Sequence, residues 1–211
     1  PKSEGTYHFQ SLFGAIDSGT IKGLLCWGMN PAVSAPNSGA ARETLAKLDW
    51  MVVIDLWETE TADCDTEVFL LPAATSLERD GSVCNGGRWN QWRHKAIDPP
   101  GSAKSDLWII DRLMLKLKQL HYGQTDKNAA AITQLVWDYG GPPDVEEVTK
   151  EMNGYDLDTG NLLSSPGSLK NDGTTSCGNW LWCGSYTEEG NMMARRDTTD
   201  HSGIGLYPNW G

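Results

Sequence analysis

Three short apolar runs, kept apart by stretches of helical periodicity, constrain this chain more than any other feature. The first, Ile21-Lys22-Gly23-Leu24-Leu25-Cys26-Trp27, reads as a buried strand and runs into Gly28-Met29-Asn30-Pro31, a sequence that must turn. The second, Met51-Val52-Val53-Ile54, is the continuous apolar run of a strand covered on both faces, with Asp55 at its carboxyl end. The third, Glu67-Val68-Phe69-Leu70-Leu71-Pro72, is stopped by its proline. Before the first run, Phe9, Leu12, Phe13 and Ile16 fall three and four apart, a helical face that Gly19 helps to end. Between the first and second, Asn37 to Leu48 predicts a helix capped by Asn37 or Ser38, with Ala41, Leu45 and Leu48 on one side. Strands separated by helices argue for an α/β fold: a doubly wound, Rossmann-like parallel sheet with right-handed crossovers.

Beyond Pro72 the sequence is polar until Pro99-Pro100-Gly101, and then Ser105 caps a helix whose apolar face carries Leu107, Ile110, Leu113, Leu117 and Leu120. Further helices are expected near Asn128 to Trp137 and Asp144 to Met152. Asp144 caps the last, and Glu146 and Glu147 suit the positive end of its dipole. From Gly154 to Gly211 the chain is rich in Gly, Ser, Asn, Asp and Thr, with scattered Trp and little periodicity. So long an irregular stretch is foreign to a complete compact domain, and its aromatic content is foreign to a disordered linker. The organisation expected is therefore an α/β domain over residues 1–153 and an irregular extension over 154–211 that packs on surfaces outside this chain.

The 211 residues carry a formal net charge of −11, with 39% hydrophobic and 21% charged residues. That composition suits a globular protein and argues against nucleic acid or an anionic membrane as partner. No apolar run approaches the ~20 residues of a membrane helix, and no signal peptide opens the chain. The five cysteines, Cys26, Cys64, Cys84, Cys177 and Cys183, form no C-x-x-C pair and make a poor disulfide framework. His8, His94, His121 and His201 lack metal-ligand spacing. Asp156-Leu157-Asp158-Thr159-Gly160-Asn161 opens like a calcium loop, but its Gly is misplaced and no Glu closes it, so a turn is expected. No catalytic set and no metal site emerges.

In an open parallel sheet, ligands bind outside the carboxyl ends of the strands. Gly28 permits close backbone approach there, Asn30 offers donor and acceptors, and Asp55 stands where an acid commonly accepts ribose hydroxyls. The plainer reading is that the loop only turns the chain and Asp55 only caps a backbone; geometry alone leaves the two even. The absence of Gly-x-Gly-x-x-Gly disfavours ordinary NAD binding. Arg79 and Arg88 flank a Gly-rich passage able to cradle an anion, although surface arginines beside turn glycines are common. Asp106 suits the start of its helix, and a carboxylate there can also accept two N–H bonds from a guanine edge.

Trp27-Gly28-Met29-Asn30-Pro31-Ala32-Val33-Ser34-Ala35-Pro36-Asn37 and Val52-Val53-Ile54-Asp55 resemble the third domain of the large subunit of formate dehydrogenases. So do Leu71-Pro72-Ala73-Ala74-Thr75, Glu78-Arg79-Asp80-Gly81 and Ala103-Lys104-Ser105-Asp106-Leu107-Trp108. These enzymes belong to the molybdopterin oxidoreductases, with dimethyl sulfoxide reductase and periplasmic nitrate reductase. The stretch from Gly184 to Asp197 is similar to formate dehydrogenases in particular. The resemblance implies a bis-(molybdopterin guanine dinucleotide) cofactor carrying Mo or W, one guanine dinucleotide of which this domain largely holds. Gly28 and Asn30 would lie against the cofactor, Ile54 and Asp55 would meet its guanosine with Asp55 on the ribose, Arg79 would supply a cationic contact, and Asp106 would face the guanine.

The same resemblance implies that the [4Fe–4S] cluster motif and the residues around the metal lie outside this chain. The remainder of the large subunit and an iron–sulfur electron-transfer subunit are then the partners. The chain alone is expected not to be catalytic, and the periplasm is favoured over the cytoplasm for the parent enzyme. The competing readings are the same segment of a nitrate reductase-like enzyme and a stand-alone nucleotide-binding or scaffold protein.

Overall fold

His8 opens the first helix by accepting the Ser11 N–H at its Nδ1, 3.2 Å away, and that helix, α1, runs over Phe9–Asp17. The computed structural model describes residues 8–84, 90–152, 154–164, 166–177, 185–187 and 189–194. The chain divides into two compact units, Pro1–Thr75 with Pro99–Lys104, and Ser76–Asp98 with Ser105–Gly211.

In the first unit α1 is followed by strand β1 (Gly23–Trp27), a short helix α2 (Pro31–Ser34), helix α3 (Ser38–Leu45) and strands β2 (Trp50–Asp55) and β3 (Glu67–Pro72). Asn37 caps α3, its Oδ1 accepting the Ala40 N–H at 3.1 Å. The three strands are parallel in the order β1-β2-β3, so the expected α/β architecture of a parallel sheet flanked by helices is what forms. The register aligns Leu24 with Met51 and Val68, and Cys26 with Val53 and Leu70. From that side of the sheet Cys26, Met51 and Val53 pack with Ile16, Leu45, Leu48 and Ala32 into one buried cluster. Burying a Leu or Met side chain stabilises by roughly 1.5–3 kcal/mol, so this cluster is the energetic centre of the unit.

On the opposite side the central strand is covered as its continuous apolar run predicts, with Val52 half-buried and Ile54 fully buried. Its neighbours are not: in the row Leu25-Val52-Phe69 the two outer side chains are each 51% exposed, so the buried strand expected of the first run is covered only in part. Trp50, also on this face by its register with Gly23, is 39% exposed. A side chain at Gly23 would collide with the Trp50 ring, which explains why a residue of poor strand propensity starts β1.

In the second unit, strands β4 (Gly81–Cys84) and β5 (Asn90–Arg93) form an antiparallel hairpin. The Gly-rich passage read as an anion cradle is thus in part a hairpin arm, and Arg88 lies outside the described residues. Helix α4 (Asp106–Leu120) starts at Ser105, whose hydroxyl accepts the Trp108 N–H at 3.2 Å. Helices α5 (Lys127–Thr133) and α6 (Val145–Lys150) are capped by Asp126 and Asp144. The buried residues of α4 are Ile109 and Asp111, whereas Ile110, Leu113, Leu117 and Leu120 are exposed. The apolar stripe exists as a pattern, but it is only partly covered among the described residues, with Leu107 half-buried and the other four more than a third exposed. Asp111 is fully buried and accepts from Trp137 Nε1 at 2.9 Å and Arg112 Nε at 3.0 Å. That pairing ties the segment after α5 back to α4.

Short ladders complete this unit: β6 (Tyr155–Asp156) with β7 (Thr175–Ser176), and β8 (Tyr186–Thr187) with β9 (Gly190–Asn191). Asp156 forms the turn expected of its sequence, its Oδ1 accepting from Asp158 N, Thr159 N and Thr159 Oγ1 at 2.9–3.1 Å. Cys183, His201 and the Arg195-Arg196-Asp197 run lie outside the described residues. No helix among the described residues is long and apolar enough to cross a membrane.

Candidate functional site

The parallel register brings Gly28, Asn30, Ile54 and Asp55 together at the carboxyl ends of β1 and β2. Trp27 pairs with Ile54, and Gly28 prolongs the ladder by donating its N–H to the Ile54 carbonyl at 2.8 Å. The chain then turns sharply because Gly28 takes a φ of 60°, the left-handed region that side chains disfavour. A Cβ at Gly28 would meet nothing within 4 Å, so the space beside it is open to a ligand.

Asn30 leads into α2. Its carbonyl accepts from Val33 N at 3.1 Å, Ser34 N at 2.9 Å and Ser34 Oγ at 2.9 Å. Its side chain makes no cap bond. Instead its Nδ2 donates to Glu60 Oε2 at 2.6 Å, and its Oδ1 accepts from Thr61 Oγ1 at 2.7 Å. The Asn30 amide is the main reason that the Glu60 carboxyl is held below the usual carboxylate range, with Glu60's own backbone and Arg42 assisting. Nothing in the periodicity of the sequence marks Glu60 and Thr61. The available signal was a hydroxyl residue in the loop following Asp55, within reach of the first loop only once β1 and β2 pair.

Asp55 ends β2 and is half-buried. Its Oδ1 accepts the Leu56 N–H at 2.7 Å, and its carbonyl accepts Ala73 N at 2.9 Å. Among the described residues its second carboxylate oxygen has no hydrogen-bond partner, which leaves it able to accept. The Ile54 side chain is fully buried, so it supports the strand end from beneath.

Arg79 and Asp106 are brought together in the second unit. Arg79 Nη2 stands 2.9 Å from Asp106 Oδ2, with both side chains more than a third exposed. Such a pair contributes roughly 0–1 kcal/mol, too little to require both residues for stability alone. Arg79 Nε is buried and has no hydrogen-bond partner among the described residues. Arg79 also lines a cavity of about 80 Å³ with Ser76, Asp80, Gly81, Ser82, Val83 and Arg93. Asp106 occupies the first turn of α4, so it suits the helix dipole as well as the arginine.

A family model described as molybdopterin oxidoreductase matches residues 3–116, the stretch that carries all six of these residues. The nitrate-inducible formate dehydrogenase major subunit of Escherichia coli (strain K12) is 38% identical over 239 aligned residues, covering 100% of this chain and 24% of that subunit. The formate dehydrogenase subunit alpha of Megalodesulfovibrio gigas is 39% identical with the same coverage, 100% and 24%. A nitrate reductase of Symbiobacterium thermophilum is 33% identical, but over 63% of this chain and 17% of its own length. The chain therefore spans about a quarter of the formate dehydrogenase subunits that it matches from end to end.

Proposed function

Because this chain belongs to the molybdopterin oxidoreductase family, we propose that it is the part of a formate dehydrogenase large subunit that holds one guanine dinucleotide of a bis-(molybdopterin guanine dinucleotide) cofactor. The observation that carries the reading is the second, unengaged carboxylate oxygen of Asp55, at the carboxyl ends of a parallel sheet that also hold the open left-handed turn at Gly28. Asp55 accepts ribose hydroxyls. Gly28 lets the backbone come close, and Asn30 contributes a polar contact, while Ile54 holds the strand end in place. Arg79 supplies positive charge to an oxyanion, and its buried Nε gains an acceptor. Asp106 accepts N–H groups of the guanine edge, in exchange for part of its ion pair with Arg79. These residue types fit such a ligand, whose phosphates, ribose and guanine need donors, acceptors and little net positive charge.

When bound in the complete subunit, the cofactor supplies the redox chemistry of formate oxidation to CO₂. This chain orients it and is not catalytic alone. The reading favours formate dehydrogenase over nitrate reductase because the Escherichia coli and Megalodesulfovibrio gigas formate dehydrogenase subunits match all of this chain, the irregular 154–211 stretch included, whereas the nitrate reductase match covers 63% of it. The half-exposed Leu25 and Phe69 on the sheet and the partly exposed stripe of α4 support the remainder of the large subunit as partner. An iron–sulfur subunit completes electron transfer in the whole enzyme.

Titration calorimetry of the chain with GDP and with ADP tests this. GDP is expected to bind more tightly, and Asp55→Ala should weaken it by about 1–3 kcal/mol through lost charge-assisted hydrogen bonds. Equal affinity for the two nucleotides, or an unchanged GDP affinity in Asp55→Ala, contradicts the assignment.

A further inference from the structure

Asn30 is held at both ends of its carboxamide, and the chemistry of the holders fixes which end is which. Thr61 is fully buried. Its Oγ1 accepts the Ala32 N–H at 3.1 Å, and its single proton goes on to Asn30 Oδ1 at 2.7 Å. Glu60 Oε2 stands 2.6 Å from Asn30 Nδ2, and a carboxylate only accepts. Turning the amide over would set its oxygen against the Glu60 carboxylate and its NH₂ against a hydroxyl whose proton is already aimed at it. One orientation therefore survives. It leaves Asn30 with a second N–H and one lone pair not engaged by this chain of bonds.

We infer that Glu60 and Thr61 are positioning residues of the nucleotide site. They lock the Asn30 carboxamide so that its remaining N–H is offered to an oxygen acceptor of the bound dinucleotide, a phosphate or ribose oxygen. The inference rests on the cofactor-site reading given above. It adds two residues that touch no ligand and act through a third. A pre-oriented amide loses no rotamer freedom when the ligand arrives, which is how a buried threonine raises affinity from behind the site.

The test is a double-mutant cycle on the 211-residue chain, read by GDP calorimetry, with far-UV circular dichroism reporting the fold. Thr61→Val keeps the shape and removes both the proton donor to Asn30 and the acceptor of the Ala32 N–H, and the Asn30→Ala background separates the two losses. It should weaken GDP by about tenfold, the value of one well-placed hydrogen bond. Thr61→Ser should restore binding to within about twofold, since it returns the donor. In an Asn30→Ala background, Thr61→Val should have no further effect, because the group through which it acts is gone. If Thr61→Val fails to fold, Glu60→Ala at its exposed position carries the same cycle with the same expectation.

Equal weakening by Thr61→Val with and without Asn30 would show a merely structural role and overturn the inference. So would wild-type affinity in Thr61→Val. Wild-type chain that binds no GDP overturns the cofactor-site reading itself, and with it this inference. Normal wild-type binding with an additive cycle removes only the positioning role.

Discussion

The two units of this chain are organised by different physics. In the first, a parallel sheet and three helices enclose a continuous apolar cluster, and the polar residues of interest sit at one end of it. In the second, the buried apolar side chains among the described residues are Ile109, Ala129 and Leu163, and cohesion rests on caps, short ladders and the buried Asp111. The first unit has what a small domain needs to define a site. The second exposes Ile110, Leu113, Leu117 and Leu120 along one helix, the mark of a surface that owes its cover to something else. The contrast teaches that sheet register, which nothing outside the chain needs to supply, positions Asn30 and Asp55.

The largest test of that contrast compares two leucines. Leu45→Ala removes a fully buried side chain and should destabilise the first unit by about 3 kcal/mol. Leu117→Ala, at 40% exposure, should stay under about 1 kcal/mol. Denaturant midpoints would show it, and equal effects would break the comparison. Next, Asp111→Ala leaves the Trp137 indole N–H and Arg112 without their acceptor and should lower the stability of the second unit by about 2 kcal/mol. A blue- or red-shifted tryptophan emission transition separate from the main one would accompany it. Unaltered unfolding would mean that polar pairing does not hold that unit.

Smaller still, Asn37→Ala deletes the cap of α3 and should cost about 1 kcal/mol in thermal unfolding of the first unit, a loss that Asn37→Ser should largely recover. The smallest effect is one of pH. Burial, with a 2.6 Å bond to Glu151, pushes the Tyr139 hydroxyl up to about 12. Its folded value is raised, so the stability it contributes is present below the unfolded value of about 10 and fades as pH rises towards 12. Unfolding midpoints of Tyr139→Phe should therefore lack part of the alkaline decline seen in wild type between those limits.

How much of this was legible in the sequence follows the same division. Glu67–Pro72 is a strand with the bounds its apolar run and terminal proline predict, and Asn37, Ser105 and Asp144 cap the helices they announce. These signals are local, so they survive without knowledge of partners. The apolar face of α4 lies on the helix its periodicity predicts, but the i, i+3, i+4 rule finds an apolar stripe and cannot say whether anything lies against it. Asp111 escaped notice for the complementary reason: an acid inside a helix reads as solvated until Trp137 and Arg112 are seen around it. The β4–β5 hairpin was not legible, because its first arm lies in a Gly-rich passage that reads as an anion cradle. At the candidate site, the places of Gly28, Asn30 and Asp55 at strand ends were legible from the apolar runs before them, whereas Glu60 and Thr61 became visible only through the pairing of β1 with β2.

The central claim is that the carboxyl ends of β1 and β2 form a guanine-nucleotide site. Nitrogen-15 NMR of the labelled chain during a GDP titration tests it most directly, because each amide reports its own position. Saturable shifts centred on the amides of Gly28, Asn30, Asp55 and Leu56 are expected, the last carrying the bond to the Asp55 carboxylate. Saturating GDP that moves other amides and leaves those four in place would contradict it.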